Sequence, residues 1–423
     1  MKRFDYLALL GILMVSCAKS NSPAGDGPAA PSDNPGQEIL QAVPIRLSSP
    51  EKQVAWSANE FGKKVFLHLL GESENNKDII FSPFSLSLDL ALCAGGASGN
   101  TGTQIYSALG FSDKAPEDVA GYYQTMSRSL QSADPSVRFC SANSIWVDKA
   151  LSLKEDYMDY AHSFFDVGIR SLDLSRKESL SQINQWCKEA TEGLVEKMLD
   201  DEKDPLSLTS AYLLNALYFN GSWSDSFDEQ KKEDVFHGAM GDRQATYLSG
   251  EQYYGYRETG NATLASIGYG SGLFELVLAI PSEGTAMEQM LLNLTVDDFF
   301  SLSRRDPVRL TLPEFEISFN TEDALIPALK ACGITDAFDD RLADFSGMFV
   351  EDEAFKMDQV LQQSVIRVDE KGTESAAVTV IGMAYATGEP YVPGLRTFNA
   401  NRPFLFALVE ESSHTVLFWG IKR

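Results

Sequence analysis

The stretch that decides the fold is RVDEKGTESAAVTVIGMAYAT, residues Arg367–Thr387. A charged beginning is followed by one glycine, Gly372, and then by small or β-branched side chains with almost no charge. Loops usually contain Pro, Asn, Asp and Gly, yet no proline occurs here before Pro390. A core strand would need larger apolar groups to bury much area. We therefore expect the segment to be a loop in one state and a strand in another.

The alternation along this stretch predicts which side chains would enter a sheet. Small groups at every second position fit between existing strands without a clash. Glu374 has the opposite parity and would stay in water. The inward-facing positions are Thr373, Ser375, Ala377 and Thr379.

This stretch resembles the hinge and reactive-centre loop of the serpins, and other motifs follow in that family's order. They are IIFSPFS (79–85), GGASGNT (95–101), INQW (183–186), NALYFNGSW (215–223), LPEF (312–315), CGI (332–334), ADFSG (343–347), FNANRPFLF (398–406) and VLFWG (416–420). Each motif is short, but their order over most of the chain is specific. The resemblance implies an α+β fold with one serpin-like domain over residues 49–423. Mixed, mostly antiparallel β-sheets, about nine helices and an exposed reactive-centre loop are expected.

The same resemblance implies a suicide inhibitor of serine endopeptidases, with cysteine endopeptidases as a second class of target. In serpins the protease cleaves the exposed loop and becomes acylated, and the freed hinge then inserts into the main sheet as a new strand. The hinge carried over to this sequence is Glu370, Gly372, Thr373, Glu374, Ser375, Ala376 and Ala377. Its small side chains favour an inhibitor that forms a covalent complex with its target. The alternative is a non-inhibitory serpin that acts as a surface binding or carrier protein.

The scissile bond is expected at Ala386-Thr387. Counting the family's usual fifteen residues from Gly372 leads to Ala386, with Ala384 and Tyr385 as neighbouring candidates. Small residues at the cut favour elastase-like proteases, and Tyr385 would favour chymotrypsin-like or some papain-like ones. Trypsin-like targets are disfavoured.

The resemblance also implies a sheet-opening network formed by Ser82, Ser85, Asn215, Trp223 and Gln362. Many serpins have a histidine where this chain has Gln362. Because Gln can donate and accept, the network can persist without the pH response of histidine. Alternatively, Gln362 merely points to solvent.

Composition and charge exclude several functions. A net charge of −25 disfavours nucleic acid and heparin-type polyanions, which require clustered Lys and Arg. Residues 104–135, where heparin-dependent serpins are basic, contain only Lys114 and Arg128. The four histidines are scattered, so neither a metal nor another cofactor is expected. The GYGSG segment (268–272) is not the G-x-S-x-G of a serine hydrolase and is expected to be a turn, so an enzyme is not indicated. A monomer is expected.

The N-terminus has the pattern of a bacterial lipoprotein. Residues 1–16 combine Lys2 and Arg3 with an apolar run, and Met14–Cys17 resembles a lipobox. Lipidation of Cys17 is therefore expected, with residues 17–48 as a flexible tether. The protein would be exported and lipid-anchored to the cell envelope, on the periplasmic face or the cell surface. A plain secretory peptide is the alternative.

Periodicity predicts the main elements. The expected helices are Val54–Leu70, Ser85–Ala94, Ser179–Leu199 and Asp323–Ala331, and the expected strands are Val137–Val147, Tyr212–Phe219, Glu275–Ile280, Arg309–Phe319, Gln359–Val368 and Phe404–Glu410. Cys93, Cys140, Cys187 and Cys332 lie among apolar neighbours without CxxC spacing. Buried thiols are favoured over disulfides.

Overall fold

A computed structural model describes residues 41–72, 77–193, 195, 197–199, 210–228, 231–321, 324–352, 355–357, 359–372 and 394–423. Eight α-helices lie within these residues: α1 Ser49–Glu72, α2 Pro83–Gly96, α3 Gly99–Ala108, α4 Pro116–Leu130, α5 Glu155–Phe165, α6 Lys177–Ala190, α7 Met287–Asn293 and α8 Leu325–Ala331. Helix α2 is the central one, and nearly all of its side chains are buried. The Ser82 side chain caps it by accepting a hydrogen bond from the Ser85 amide, and Pro83 occupies the first turn, where a missing amide costs nothing.

The strands within the described residues are β1 Ile79–Phe81, β2 Val137–Asp148, β3 Val167–Leu172, β4 Ala211–Gly221, β5 Lys232–Gly238, β6 Gly241–Gln252, β7 Gly255–Glu258, β8 Ala262–Tyr269, β9 Phe274–Pro281, β10 Val308–Pro313, β11 Phe315–Asn320, β12 Gln363–Val368, β13 Arg396–Asn399, β14 Phe404–Glu410 and β15 Thr415–Lys422. They form four sheets, with the orders β1-β15-β14-β9-β8-β7, β13-β10-β6-β5, β3-β2-β4 and β11-β12. The pairs β2-β3 and β10-β13 are parallel, and the remaining pairs are antiparallel. The α+β class with mixed, mostly antiparallel sheets is thereby confirmed.

The core has two parts that position the site. The larger part surrounds α2 and the six-stranded sheet, whose strand β14 is buried along its whole length. The smaller part lies where α6 covers the opposite face of β4, around Ile183, Tyr212 and Leu214. Leu361 and Val365 of the β12 chain pack against this same cluster. Helix α6 therefore covers β4, and the β12 chain borders the same cluster.

Several predicted element boundaries were wrong, including the start of the first helix, which begins at Ser49 rather than Val54. The helix expected over 179–199 ends at Ala190, because Glu192 and Gly193 take left-handed backbone conformations with φ of 53° and 91°. The strand expected over 309–319 is two strands in different sheets, β10 and β11, separated at Glu314. The strand expected over 359–368 begins only at Gln363.

The compact unit begins earlier than the expected tether boundary. It spans Gln41–Arg423, so residues 41–48 belong to it rather than to the tether. Ile45 and Leu47 are buried in the core, and the Val43 amide donates a hydrogen bond to the Ala133 carbonyl. Among the described helices, none has the length and apolar character needed to span a bilayer.

The four cysteines outside the N-terminal segment form no disulfide within the described residues. Cys93 and Cys187 are buried, and Cys140 and Cys332 are half-buried. The GYGSG segment (268–272) is a turn between β8 and β9, in which Gly270 and Gly272 have φ of 52° and 88°.

Candidate functional site

The site is an interruption in what would otherwise be one large sheet. Strand β4 ends the β3-β2-β4 sheet, and β12 lies beside it but pairs with β11 only. The two strands are neighbours, yet within the described residues no ladder of hydrogen bonds joins them. Such a gap can accept another strand, because the edge of a strand offers backbone donors and acceptors.

The chain turns into this gap at its upper end. Asp369 and Gly372 form an antiparallel bridge with two backbone hydrogen bonds of 3.2 Å, and Gly372 forms a second antiparallel bridge with Ser222, just after β4. Gly372 has φ of +102°, and a Cβ atom there would lie 2.3 Å from the Gly221 carbonyl oxygen. Only glycine fits this position.

Trp223 holds the turn in place. Its indole Nε1 donates a hydrogen bond of 2.8 Å to the Asp369 carbonyl oxygen. The indole ring stacks on Tyr269 with the ring centroids 4.4 Å apart and meets Phe227 edge-on. The aromatic stack fixes the orientation of the indole N–H and thereby the position of the Asp369 carbonyl, from which the hinge begins.

Lys231 adds an ionic contact at the same end of the gap. Its ammonium group lies 2.8 Å from the Glu314 carboxylate and 2.6 Å from the Glu370 carboxylate. The hydrogen bond from Lys231 holds the pKa of Glu370 at about 2, and the two carboxylates raise the pKa of Lys231 above its usual value. All three side chains are partly exposed, so we expect the cluster to orient the hinge more than to stabilise the fold.

Gln362 lies deeper in the gap and faces inward. Its side chain is only 7% exposed, so the alternative in which it points to solvent is wrong. Its Oε1 accepts a hydrogen bond of 2.6 Å from the Ser82 amide, and its Nε2 donates one of 3.0 Å to the Ser82 carbonyl oxygen. The side chain thereby ties the β12 chain to the first turn of α2.

Asn215 makes the matching contact from the β4 side. Its Oδ1 accepts a hydrogen bond of 2.7 Å from the Ser85 hydroxyl, and its Nδ2 donates to Asn143 Oδ1 on β2. The helix cap between Ser82 and Ser85 links this half of the network to the Gln362 half. The expected direct contact of Gln362 with Asn215 is not among the hydrogen bonds of the described residues.

The predicted site residues fall into three groups. Ser82, Ser85, Asn215 and Gln362 come together below the gap, whereas Trp223, Glu370 and Gly372 lie at its upper end. Thr373, Glu374, Ser375, Ala376, Ala377, Ala384, Tyr385, Ala386, Thr387 and Cys17 lie outside the described residues. No cluster of three or more potential metal ligands occurs in the described part of the chain.

Sequence reasoning missed three residues of the site. Asn143 and Lys231 give no sequence signal, since their partners are distant in the chain. Asp89 was detectable, because it is the single charged residue in the apolar helix α2. Such a carboxylate needs an explanation, since burying it is costly.

Replacing Gln362 by Ala is expected to lower the free energy of unfolding by about 2 kcal/mol, because the buried Ser82 amide loses its partner. Gln363→Ala is the matched control, since the Gln363 side chain lies on the other face of β12 and donates a hydrogen bond to Ser318. The control should change the unfolding free energy by less than about 0.5 kcal/mol. Urea unfolding followed by tryptophan fluorescence measures both variants, and equal shifts would contradict the assigned role of Gln362.

Comparisons with known proteins agree with this geometry. The family profile described as Serpin (serine protease inhibitor) matches residues 57–422. Iripin-5 of the tick Ixodes ricinus is 30% identical over 381 residues, which cover 88% of this chain and 94% of that protein.

Solved structures extend the likeness to the fold. The native state of the thermophilic serpin tengpin superimposes with a TM-score of 0.77 at 26% identity, covering 90% of this chain and 97% of that one. Thyroxine-binding globulin in complex with thyroxine has a TM-score of 0.75 at 24% identity and covers 88% of this chain and 98% of that one, so it speaks for the fold alone. The sheet gap, the hinge turn and the family match over most of the chain lead to one conclusion: this chain belongs to the serpin family.

Proposed function

We propose that the protein is an inhibitory serpin that traps a serine endopeptidase by inserting its cleaved loop between β4 and β12. The observation that carries the proposal is the position of Gly372. Its bridges to Ser222 on one side and to Asp369 on the other make it the first residue of a strand in the gap.

The two bridges define one register for the inserted strand. In antiparallel pairing the numbers of opposite residues have a constant sum. The bridge to Ser222 then puts Thr379 opposite Asn215, and the bridge to Asp369 puts the same Thr379 opposite Gln362. Opposite residues face the same side of a sheet, so Thr379 would face inward between the two halves of the polar network. The agreement of two independent registers supports insertion.

The sequence of the loop suits this register. Every second residue counted from Thr379 would face inward. Between Thr373 and Thr379 these residues are the small side chains of the hinge. The register puts Met383 opposite Ala211, the first residue of β4. A cut after Ala386 therefore allows insertion along the whole of β4 and leaves the protease at the far end.

The catalytic groups of the cleavage reaction are those of the protease, and the inhibitor acts only by inserting its cleaved loop. The protease serine attacks the Ala386 carbonyl carbon, the bond to the Thr387 nitrogen breaks, and the freed amine leaves with a proton. An ester then links the Ala386 carbonyl to the serine. Insertion that outruns attack by water leaves this ester intact.

A panel of elastase-, chymotrypsin-, trypsin- and papain-like proteases tests the proposal. We expect a complex that survives SDS with an elastase- or chymotrypsin-like enzyme, and a released C-terminal peptide that begins at Thr387. Cleavage of the loop by every protease without a covalent complex would contradict inhibition and favour a binding or carrier role.

We also propose that the chain is exported and lipid-anchored through Cys17. The support is the lipobox-like Met14–Cys17 behind a short apolar run, followed by a tether rich in Ser, Pro and Gly. The anchor and the inhibitory domain would then function independently.

Cys17→Ser is expected to move the protein from the detergent phase to the aqueous phase in Triton X-114 partitioning. The reason is the loss of acyl chains, each of which contributes about 0.8 kcal/mol per buried CH₂. The variant should form the covalent protease complex as the wild type does. A mature wild-type N-terminus well beyond Cys17, without lipid mass, would contradict the anchor and leave the inhibitory proposal untouched.

A further inference from the structure

An open groove lies between helix α6 and the edge strand β3, away from the gap that accepts the loop. Its volume is about 540 Å³, which is within the range of small-molecule binding sites. Strand β3 contributes Arg170 and Leu172, and α6 contributes Gln182 and Trp186. None of the described residues that line the groove belongs to the hinge or to the polar network, so a ligand here would be independent of the proposed inhibitory function.

Two indole rings form the apolar part of this groove. Trp146, on β2, is only 3% exposed, and its Nε1 donates a hydrogen bond of 2.7 Å to the Ser144 hydroxyl. Trp186, on α6, is half-buried and meets Trp146 edge-on, with the ring centroids 6.1 Å apart. Each indole therefore has a defined orientation, and the exposed part of Trp186 is available to a flat apolar ligand.

Arg170 brings a positive charge to the same place. It pairs with Trp146 in the parallel ladder of β2 and β3, so both side chains lie on one face of the sheet. The guanidinium carbon lies over the Trp146 ring, 4.9 Å from its centroid. A guanidinium group donates hydrogen bonds in its own plane, so contact with the ring leaves its N–H groups available. Within the described residues the Arg170 guanidinium has no hydrogen bond and no ion pair.

The acidic groups nearby already have partners. Asp173, which follows β3, is paired with Lys149 at 2.6 Å and with Arg176 at 3.0 Å. Glu189 is the one carboxylate among the described residues that line the groove, and it accepts a hydrogen bond of 2.8 Å from Gln185 Nε2. The Arg170 guanidinium is therefore available to an external anion.

We propose that this groove binds a small aromatic carboxylate, whose carboxylate group pairs with Arg170 and whose ring packs against Trp186. The planar guanidinium matches a carboxylate, since two parallel N–H donors can meet its two oxygens. The amide of Gln182, which makes no hydrogen bond within the described residues, can donate to the same group.

Other ligand classes suit the groove less well. A cation would be repelled by Arg170, and a single carboxylate, Glu189, does not provide the several oxygen ligands of a divalent metal site. A phosphate monoester carries about 1.5 to 2 negative charges, whereas Arg170 is the one cation in the described lining.

Titration of the isotope-labelled full chain with indole-3-acetate, followed by NMR, tests the site without any protease. The chain has only five tryptophans, so their indole N–H signals are few. We expect the signals of Trp146 and Trp186 to shift and those of Trp56 and Trp419, which lie outside the groove, to stay in place. The neutral indole-3-acetamide has nearly the same shape and should bind about fivefold more weakly, because it forms no ion pair. Salt at about 500 mM should remove most of this difference, since the pair is exposed.

Arg170→Gln is the decisive variant, because it removes the charge from an exposed position and leaves both indoles in place. We expect it to bind the acetate as weakly as the acetamide. Arg176→Gln is the matched control, since it removes an exposed arginine at the start of α6 that does not line the groove, and it should keep the preference for the acetate. Trp186→Leu identifies the Trp186 signal and should weaken the binding of both probes.

Three results would overturn the site. They are equal affinity of the wild type for the acetate and the acetamide, an undiminished preference for the acetate in Arg170→Gln, and no shift of either groove signal up to about 5 mM indole-3-acetate.

Discussion

Thr373→Arg is expected to change the protein from an inhibitor into a substrate of its target protease. In the register proposed for the inserted loop, Thr373 would lie opposite Gly221 and the buried Val368, so its side chain would have to enter the interior. Burying an unpaired guanidinium costs several kcal/mol, and each 1.4 kcal/mol slows insertion about tenfold. We expect the number of inhibitor molecules consumed per protease to rise at least about tenfold.

The control variant introduces arginine at the next position of the chain, residue 374. Glu374→Arg puts the guanidinium on the solvent-facing parity, opposite Asn220 and the exposed Arg367. This variant should still form the SDS-resistant complex with nearly unchanged stoichiometry. If Thr373→Arg inhibited as well as Glu374→Arg, the insertion register would be wrong.

Cleavage of the loop near Ala386 should raise the melting temperature of the protein by about 10 °C or more. An inserted strand forms backbone hydrogen bonds with both β4 and β12, and about ten such bonds at about 1 kcal/mol each give about 10 kcal/mol. A domain of this size gains somewhat more than about 1 °C per kcal/mol. Differential scanning calorimetry before and after limited proteolysis measures the change.

The same measurement on Thr373→Arg provides the control for this prediction. The cleaved variant carries the same nick but cannot complete the insertion, so its melting temperature should stay near that of the uncleaved form. A wild-type protein that melts at the same temperature before and after cleavage would show that the loop does not insert.

The sequence allowed Gly372 and the polar network around Gln362 to be predicted because each has a local signature, whereas the hinge beyond Gly372 stays a prediction. Gly372 stands alone between charged residues and small ones, and its left-handed backbone confirms why glycine is needed. Gln362 was predicted to join Ser82, and the two do bond. The serpin fold and its sheet classes were likewise predictable from the order of the motifs.

Other parts of the site could not be predicted, since they depend on which strands become neighbours. The contact of Lys231 with Glu370 joins positions far apart in the chain. The break between β10 and β11 at Glu314 looks like one continuous strand in the hydrophobic pattern, and only the tertiary structure assigns the halves to different sheets. Asp89 was visible in the sequence as the single charge in an apolar helix, but the residues that surround it are known only from the tertiary structure.

The position of β15 has a consequence for how the chain is made. This last strand lies between β1 and β14 in the six-stranded sheet, where Ile79 pairs with Ile421 and Trp419 is fully buried. Pairing of such distant segments is slow, because loop closure precedes any gain from contacts. The six-stranded sheet cannot be completed until β15 has been synthesised, so β1 and β14 wait for a partner that lies far along the chain. Truncation before Thr415 is accordingly expected to abolish folding, whereas removal of an unstructured terminus would leave folding intact.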